Sequence, residues 1–386
     1  MVSEGFALAL VLLTLDRSGS TAAAGWLIAA ATFPQLVTGP LLGPVLDRAT
    51  HPWRVLRAAA AVTAVATLVI VVSVDRWPFV VPAVAALAIA GTEPLLTGGV
   101  SATGGRGPWA TRVYAWDSLA YNVAGLAGPA LVTVVALAAS PAWALATLAV
   151  VGGAVTVTSL GLSVTSPAEH VRTGRLGAAV RLIASAPPLR AATLATTLAF
   201  AALGGLSFAV VSATRAVGRP AADAGAVMTV AAVGGLVGSL AMTRRAPPRR
   251  PSSTVLVSLV AMGVALAVMG LGSWPVLLAG AFFIGFIDGP LLVGLFTARS
   301  DHSPPALRAT VFTVAASAKL GAASLGAVVA AQALDARSTG AGLVAIGAAH
   351  VIAAGAGWFS EVTAPGRRLA RGTCPSRPPR AAPRRT

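Results

Sequence analysis

Long apolar runs separated by short polar turns are the feature of this sequence that most constrains its fold. Residues 21–42 and 56–74 are mostly apolar and carry no charge apart from Arg57, and the turn between them carries Asp47, Arg48 and Arg54. A run of about 20 apolar residues is long enough to cross the hydrocarbon core of a bilayer as a helix. Lipid satisfies no backbone polar groups, and the alternating ten-residue pattern of a membrane barrel is absent. The sequence therefore predicts an all-α membrane protein.

Composition supports the same class of protein. Charged residues make up 10% of the chain and hydrophobic residues 56%, whereas soluble domains carry roughly 25% charged residues. The net charge of +16 comes almost entirely from arginine, and Lys319 is the one lysine. We attribute this charge to membrane topology and expect no nucleic-acid partner. The single cysteine, Cys374, excludes a disulfide framework or a cysteine metal site within the chain.

A second basic turn at residues 238–250 repeats the first one in the other half of the chain. Arg48 and Arg244 lie 196 positions apart (244 − 48). Other pairs at this offset are Pro94 and Pro290, Arg112 and Arg308, and Gly125 and Gly321. Proline and arginine matches in one register predict a duplication, with about 12 transmembrane helices in two six-helix halves.

The apolar runs place the helices. In the first half the predicted spans are residues 3–15, 21–42, 56–74, 78–98, 113–139 and 141–164. In the second half they are residues 189–213, 221–242, 254–271, 274–297, 309–333 and 340–359. The first span rises only about 20 Å, so we expect the first helix to be truncated at the N-terminus.

These spans divide the chain into four parts. They are an N-terminal half at 1–164, a cytoplasmic connector at 165–188, a C-terminal half at 189–364 and a tail at 365–386. Leu176, Val180 and Ile183 share one helical face, which predicts a short interfacial helix in the connector. The Arg- and Pro-rich tail is predicted to be disordered and to touch anionic lipid.

Arginine distribution predicts the orientation. With the first long basic turn inside, the inner loops carry about three times as many arginines as the outer loops. We therefore expect a multi-pass protein of the cell membrane with both termini in the cytoplasm.

The turn at residues 39–57 resembles the loop between helices 2 and 3 of the major facilitator superfamily. Gly43, Asp47 and Arg48 match the family spacing, and Arg54 supplies the further basic residue slightly late. The resemblance implies that these residues form a cytoplasmic latch, or gate, that opens during alternating access. The second copy has Thr243 in place of the acid, so the predicted latch is one-sided.

A second element resembles one found in proton-coupled drug exporters of that superfamily. Gly125, Gly128 and Pro129 partly match their helix-5 Gly-x-x-x-Gly-Pro element, with two residues between the glycines instead of three. Small residues here predict close packing of the fifth span on a neighbour, and Pro129 predicts a bend. The arginine that these exporters carry in helix 4 is absent, and Glu93 is the charge in that span.

Charged side chains inside apolar runs are the candidate functional residues, because each costs at least ~2.5–3.5 kcal/mol in the bilayer. Glu93 in span 4 and Asp288 in span 10 occupy near-equivalent positions in the two halves. They are candidates for binding a cation or a proton near the centre. The structural alternative is that they lie near a membrane face or hydrogen-bond the kink made by the nearby proline.

Spans 5 and 11 supply the other candidates. Asp117 and Tyr121 share a helical face, with Asn122 beside them, and Asp117 has Arg112 as an alternative partner. Lys319 lies in the middle of span 11 and needs an acidic partner, for which Asp288 is the first candidate. A pair that breaks and reforms would act as a switch, whereas a static pair would be structural.

The function that these features predict is secondary active transport. The chain has no P-loop, no paired Asp-rich motifs and no paired-His motif, so we expect no enzyme activity, cofactor or metal. Spans rich in Ala, Gly, Val and Leu favour proton-coupled efflux of a hydrophobic or amphiphilic small molecule by a monomer. The alternatives are an importer or facilitator of a small metabolite, and a non-transporting membrane scaffold.

Overall fold

The computed structural model describes residues 2–102, 110–158, 176–220, 223–245, 248–333 and 340–363, which are almost entirely helical and contain no strand. The first half comprises α1 (Val2–Ser18), α2 (Thr21–Thr32), α3 (Gln35–Arg48), α4 (Pro52–Ser73), α5 (Val80–Pro94), a π-helical turn (Leu95–Gly99), α6 (Val100–Ala102), α7 (Ala110–Ala138) and α8 (Pro141–Thr158). The second half comprises α9 (Leu176–Ser185), α10 (Pro187–Leu203), α11 (Leu206–Ala216), α12 (Ala224–Thr243), α13 (Pro251–Leu271), α14 (Trp274–Asp301), a 3₁₀ turn (Pro305–Leu307), α15 (Arg308–Ala333) and α16 (Ala341–Val362).

Ten helical segments among the described residues are long and apolar enough to cross a membrane. The pair α10 and α11, bent by 48°, is an eleventh candidate. The first helix, α1, has 17 residues and is about 26 Å long. The all-α prediction is therefore confirmed, and most helices begin and end within a few residues of the predicted spans. A helix, α9, forms at the position of the predicted interfacial helix; the tail and residues 165–175 of the predicted connector lie outside the described residues.

Three of the predicted spans are interrupted, and local sequence explains each break. Proline cannot donate to the preceding turn. Pro34 accordingly separates α2 from α3, and Pro94 ends α5 where the π-helical turn begins. Gly204 and Gly205 separate α10 from α11, and a Cβ atom on Gly204 would lie 1.9 Å from the carbonyl oxygen of Ala323. Glycine at this bend lets α10 approach the backbone of α15.

Apolar side chains within each half form separate cores. Leu10, Ile70 and Leu145 belong to a core built from α1, α4 and α8. In the second half, Leu259 and Leu291 belong to a core shared by α10, α13, α14 and α16. A further cluster joins the halves, since it contains side chains from α3, α4, α7, α14 and α15. This cluster closes one end of the space between the halves.

The two ends of the bundle differ in charge. One end, called here the basic end, is defined by arginines at the ends of α3, α12 and α14 and at the starts of α4, α7, α10, α13 and α15. Its members are Arg48, Arg54, Arg57, Arg112, Arg190, Arg244, Arg245, Arg249, Arg250, Arg299 and Arg308. The opposite end carries Asp16, Arg17, Asp75, Arg76, Arg215, Arg219 and Asp223. The opposite end therefore mixes both signs of charge, whereas the basic end is dominated by one.

Candidate functional site

Two neighbouring cavities lie between the halves. The first has a volume of about 340 Å³ and is lined mainly by the first half, including Phe6, Gln35 and Glu93. The second has a volume of about 730 Å³ and lies between α7 and the second half, where Asp288 contributes to its wall. Three side chains, here called the partition, line both cavities: Tyr121 of α7, Phe200 of α10 and Lys319 of α15.

The partition brings the charged candidates together. The Lys319 ammonium nitrogen lies 4.1 Å from the centroid of the Phe200 ring, within cation–π distance. Glu93 is 8% exposed and lines the first cavity, while Asp288 lines the second. The charge of Lys319 acts on the Asp288 carboxylate. One acid from each half therefore faces its own cavity, and the lysine stands between the cavities.

A hydrogen-bonded chain links the halves beside Asp288. The Asn122 amide nitrogen on α7 donates to Asp288 Oδ2 at 3.3 Å and to Ser239 Oγ at 3.0 Å. Ser239 of α12 and Ser118 of α7 are joined through their hydroxyls at 2.8 Å, and both are fully buried. These contacts cross from one half to the other, so any separation of α7 from α12 must break them.

Asp117 occupies a different environment from Tyr121, although both lie on α7. Its carboxylate accepts a hydrogen bond from the Ser101 hydroxyl of α6, within the first half. The sequence placed Asp117 and Tyr121 on one face; the structure brings Tyr121 to the cavities and Asp117 to the α6–α7 contact, nearer the basic end.

Most uncharged polar side chains around the cavities already donate to backbone carbonyls. The hydroxyls of Thr32, Thr97, Thr133 and Thr229 each donate to the carbonyl four residues earlier, and the Gln35 amide donates to Ala31. The four hydroxyl donors and one of the two Gln35 amide hydrogens are therefore not directed at a solute. The remaining lining is largely apolar, with Glu93, Asp288 and Lys319 as the charged groups.

Contacts between α3 and α15 close the space between the halves at the basic end. The Asp47 carboxylate accepts hydrogen bonds from the backbone amides of Ala309 and Thr310, each at 2.8 Å, and from the Thr310 hydroxyl. The carboxylate therefore caps the N-terminus of α15, where a negative charge is stabilised by the helix dipole. Arg48 and Arg54 are exposed around this contact. Thr243, the equivalent of Asp47 in the repeat, donates to Leu240 within its own helix.

Small residues allow α3 to approach α15 at the same end. A Cβ atom on Gly43 would lie 2.2 Å from Thr313 Oγ1 and 2.6 Å from Thr310 Cα. One turn further from the basic end, a Cβ atom on Gly39 would lie 2.0 Å from Ser317 Oγ. The Ser317 hydroxyl donates to the Gln35 carbonyl at 2.9 Å. Gly43, which matches the family spacing in the sequence, therefore lies at a contact between the two halves.

An aromatic cluster extends from Tyr121 of the partition to residues nearer the basic end. It consists of Tyr114 and Tyr121 from α7, Phe296 from α14 and Phe312 from α15, with ring centroids 6.0–6.5 Å apart. Arg299 lies beside this cluster and is 2% exposed. Its guanidinium carbon is 5.8 Å from the Phe312 ring centroid. Its Nε and Nη2 atoms have no hydrogen-bond partner among the described residues.

The helix-5 element occupies two environments. Gly128 is buried against α1, because a Cβ atom on Gly5 would lie 2.9 Å from the Gly128 carbonyl oxygen. Gly125 and Pro129 line the second cavity, and Pro129 lies within the single helix α7. The close packing predicted for this element therefore concerns Gly128 and α1.

Sequence reasoning missed Phe200, Ser239, Gln35 and Arg299. The first three are ordinary residues of apolar helices, and nothing in the sequence shows which helix they face. Arg299 lies just beyond the predicted span 274–297, but α14 continues to Asp301 and buries it.

Comparisons with known proteins agree with this architecture. The sequence profile of the Major Facilitator Superfamily matches residues 1–327, so the chain belongs to that superfamily. It is a multi-pass membrane protein with the fold of secondary transporters. No curated protein sequence matches the chain significantly.

Several solved structures share the fold. The chain is similar to the proton:xylose symporter XylE, with a TM-score of 0.70, 13% identity and coverage of 93% of this chain and 91% of that one. It is also similar to a bacterial homologue of the iron transporter ferroportin in an outward-facing state, with a TM-score of 0.67, 13% identity and coverage of 94% and 96%. For the fucose:proton symporter FucP of E. coli the TM-score is 0.64, the identity 11% and the coverage 93% and 98%. At these identities the likeness shows the fold alone.

Proposed function

We propose that this protein is a proton-coupled transporter that exports hydrophobic or amphiphilic small molecules from the cell. The observation that carries the proposal is the pair of largely apolar cavities between the halves, with Glu93, Asp288 and Lys319 at their junction. Cavities of 300–1,000 Å³ are the usual size for small-molecule sites. The solute occupies these cavities while the basic end is closed. Rocking of one half against the other opens the basic end and exposes the same cavities to the other side of the membrane.

The chemistry of the lining favours an amphiphile over a sugar. A sugar needs many directed hydrogen bonds, and the threonine and glutamine donors around the cavities are already bound to backbone carbonyls. Phe6, Tyr121, Phe200, Met228 and Met262 offer aromatic and flexible apolar surface instead. Methionine side chains adapt to solutes of different shape. This surface suits a hydrophobic body that carries one charged group.

Proton coupling is supported by the buried acids and by the fold. A carboxylate in a membrane interior is stable only when it is paired or protonated, so a change of partner at Glu93 or Asp288 changes its proton occupancy. XylE and FucP, which share the fold, are described as proton symporters. The ferroportin homologue was crystallised with soaked iron, but among the described residues of this chain no group of three or more His, Cys, Asp or Glu is arranged for a metal ion.

The orientation follows from the charge of the two ends. We place the basic end in the cytoplasm, because arginine-rich loops remain on that side. The contacts between Asp47 and α15 then close the cytoplasmic side, and the cavities belong to an outward-facing state of a protein in the cell membrane.

Accumulation of fluorescent cationic and neutral amphiphiles in intact cells tests this proposal. Cells that produce the protein should accumulate less of the exported compounds than empty cells, and a protonophore should abolish the difference. The double variant Glu93→Gln/Asp288→Asn should behave like empty cells. Asp117→Asn is the matched control, because Asp117 is an intramembrane acid away from the cavities, and it should retain export.

Other outcomes would replace the proposal. Higher accumulation than in empty cells would establish an importer or facilitator. Accumulation equal to that of empty cells throughout the panel, with the protein folded and in the membrane, would favour an importer of another solute or a non-transporting scaffold.

A further inference from the structure

A wholly apolar groove runs between α4 and α5 on the outside of the bundle. It has a volume of about 610 Å³ and is lined by alanine and valine side chains alone, among them Val65, Val69 and Val84. We infer that this groove binds one acyl chain of a phospholipid whose headgroup carries a phosphate and a primary ammonium, as in phosphatidylethanolamine, and that Arg76 and Asp75 hold this headgroup. Such binding requires only that α4 and α5 lie in a membrane, and it does not depend on transport.

The groove faces away from the space between the halves. Val65, Val80 and Val84 are exposed, whereas Thr63 and Ile89, on the other side of the same two helices, line the first cavity. Since α4 and the span that begins with α5 are long and apolar enough to cross a membrane, the exposed valines lie at the depth of lipid chains. Alanine and valine side chains carry no polar atom that could orient a polar solute, so the ligand is apolar where it touches the groove.

The length of the groove favours a lipid chain from one leaflet over a helix of another protein. Along α5 the groove extends from Val80 to Ala88, about 12 Å, which is less than half of the roughly 30 Å hydrocarbon core. Near its inner end the hydroxyls of Thr63 and Thr92 are hydrogen-bonded at 2.7 Å and hold α4 against α5. A membrane-spanning helix would need a contact surface along the whole span, whereas an acyl chain enters from the opposite end alone.

The corresponding seam of the second half, between α13 and α14, is filled by protein side chains. A Cβ atom on Gly280 of α14 would lie 2.2 Å from Cγ of Met269 on α13, and both Met269 and Leu277 are almost fully buried. The alanines and valines of α4 and α5 leave a gap at this depth instead. Atoms that line a gap lose dispersion contacts, and an acyl chain that touches both helices restores them.

Charges at the open end of the groove select the headgroup. The turn between α4 and α5 lies at the opposite end and carries Asp75, Arg76 and Trp77, all of which are exposed. Arginine matches the geometry of a phosphate, a carboxylate pairs with an ammonium, and tryptophan is enriched at the headgroup level of membranes. The neighbouring Arg17 donates to two backbone carbonyls near the end of α4 and so caps that helix. Arg76 is therefore the arginine that we assign to the phosphate.

Native mass spectrometry of the delipidated protein in detergent tests the headgroup with three lipids that have identical acyl chains. Phosphatidylethanolamine presents both charges, phosphatidylglycerol lacks the ammonium, and diacylglycerol lacks the phosphate as well. The parent should bind one phosphatidylethanolamine more tightly than phosphatidylglycerol, and diacylglycerol least tightly. Arg76→Gln should weaken phosphatidylethanolamine binding about threefold to tenfold. Arg215→Gln, which removes an exposed arginine at the opposite end of the other half, should bind like the parent.

The substitution Asp75→Asn tests the ammonium contact separately. Asp75 has a positive φ of 62°, a left-handed conformation that asparagine also adopts readily, so the turn should keep its shape. The variant should lose the preference for phosphatidylethanolamine over phosphatidylglycerol. A preference as large as that of the parent would overturn the assignment of the ammonium to Asp75.

A groove-filling variant tests the acyl chain. Val84→Trp places a large ring in the groove from an exposed position and should weaken binding about tenfold. Val264→Trp on α13 is the matched control, because Val84 and Val264 are 57% and 54% exposed, and it should bind like the parent. Unfolding temperatures equal to that of the parent verify that both variants fold.

Two further outcomes would overturn the inference. One is equal phosphatidylethanolamine binding by Val84→Trp and the parent, or equal affinity of the parent for all three lipids. The other is a delipidated parent that binds no lipid but forms dimers that Val84→Trp dissociates, because the groove would then belong to a contact with a second copy of the chain.

Discussion

Asp47 and Thr310 are joined by two hydrogen bonds across the two halves of the bundle. The Thr310 backbone amide donates to Asp47 Oδ2 at 2.8 Å, and its hydroxyl donates to the same carboxylate oxygen. The amide of Ala309 occupies Oδ1 at 2.8 Å. The acid of α3 thus satisfies donors that the first turn of α15 leaves without a helical partner.

The substitution Asp47→Asn should loosen the basic end. The asparagine keeps one acceptor but loses the charge, and hydrogen bonds to a charged group are worth about 1–2 kcal/mol more than neutral ones. The population with an open basic end should therefore rise about 5–30-fold. A cysteine at Ser118, which is fully buried between α7 and α12, reports this opening through its rate of reaction with a maleimide.

The experiment needs one background change, because Cys374 is the single cysteine of the chain and Cys374→Ser removes it. Arg249→Gln is the control, since Arg249 is an exposed charge of the basic end outside the predicted latch. Its labelling rate should equal that of the parent. Equal rates for Asp47→Asn and Arg249→Gln would show that the Asp47 contacts do not hold the basic end closed.

The contact between Gly39 and Ser317 predicts a paired substitution. In Gly39→Ala the new methyl group would lie 2.0 Å from Ser317 Oγ, which should push α3 from α15 and raise labelling at position 118. Adding Ser317→Ala removes that oxygen, and the nearest remaining atoms lie 3.2 and 3.3 Å away. The double variant should label more slowly than Gly39→Ala alone.

Gly91→Ala serves as the steric control, because nothing lies within 4 Å of its added Cβ atom. It should label like the parent protein. A double variant that labels as fast as Gly39→Ala would locate the clash elsewhere, for example at Pro94 Cβ.

The fold was largely predictable because the bilayer leaves few choices. An apolar run that crosses the bilayer must form a helix, because lipid satisfies no backbone polar groups. The repeat also predicts helix starts: the offset of 196 positions takes Pro52, which starts α4, to residue 248, three residues before α13 begins at Pro251. Helix ends were less predictable. Residues 43–48 looked like part of a turn, but α3 continues to Arg48 because its last turn packs against α15.

The candidate site was predictable where a residue was unusual for its surroundings. Glu93, Asp288 and Lys319 stood out as charges in apolar spans, and they do line the two cavities. The side chains that determine their environment did not stand out. The Phe200 ring contacts Lys319, and Ser239 accepts a hydrogen bond from Asn122, because particular helix faces pack together. A single sequence does not show which helix faces pack together.

Arg299 should destabilise the closed basic end. It is 2% exposed, and two of its nitrogens have no hydrogen-bond partner among the described residues. Replacing buried ionic groups by apolar side chains of similar volume is often neutral or stabilising by about 1–4 kcal/mol. Arg299→Met should therefore raise the unfolding temperature in detergent and slow labelling at position 118.

The exposed Arg244 provides the comparison, because Arg244→Met removes the same charge from a solvated position. Its unfolding temperature should change little. A lower unfolding temperature for Arg299→Met than for the parent would mean that the guanidinium contributes to stability, with its contact to the Phe312 ring as the first cause to test.

Orientation in the membrane is predicted by the charge of the two ends. Arg76 lies in the α4–α5 turn at the opposite end and Arg249 precedes α13 at the basic end, and both are exposed. In the Cys374→Ser background, Arg76→Cys should react with a membrane-impermeant maleimide in intact cells. Arg249→Cys should react only after lysis, because basic loops remain in the cytoplasm. Labelling of Arg249→Cys in intact cells, with Arg76→Cys protected, would invert the topology, and the cavities would then belong to an inward-facing state.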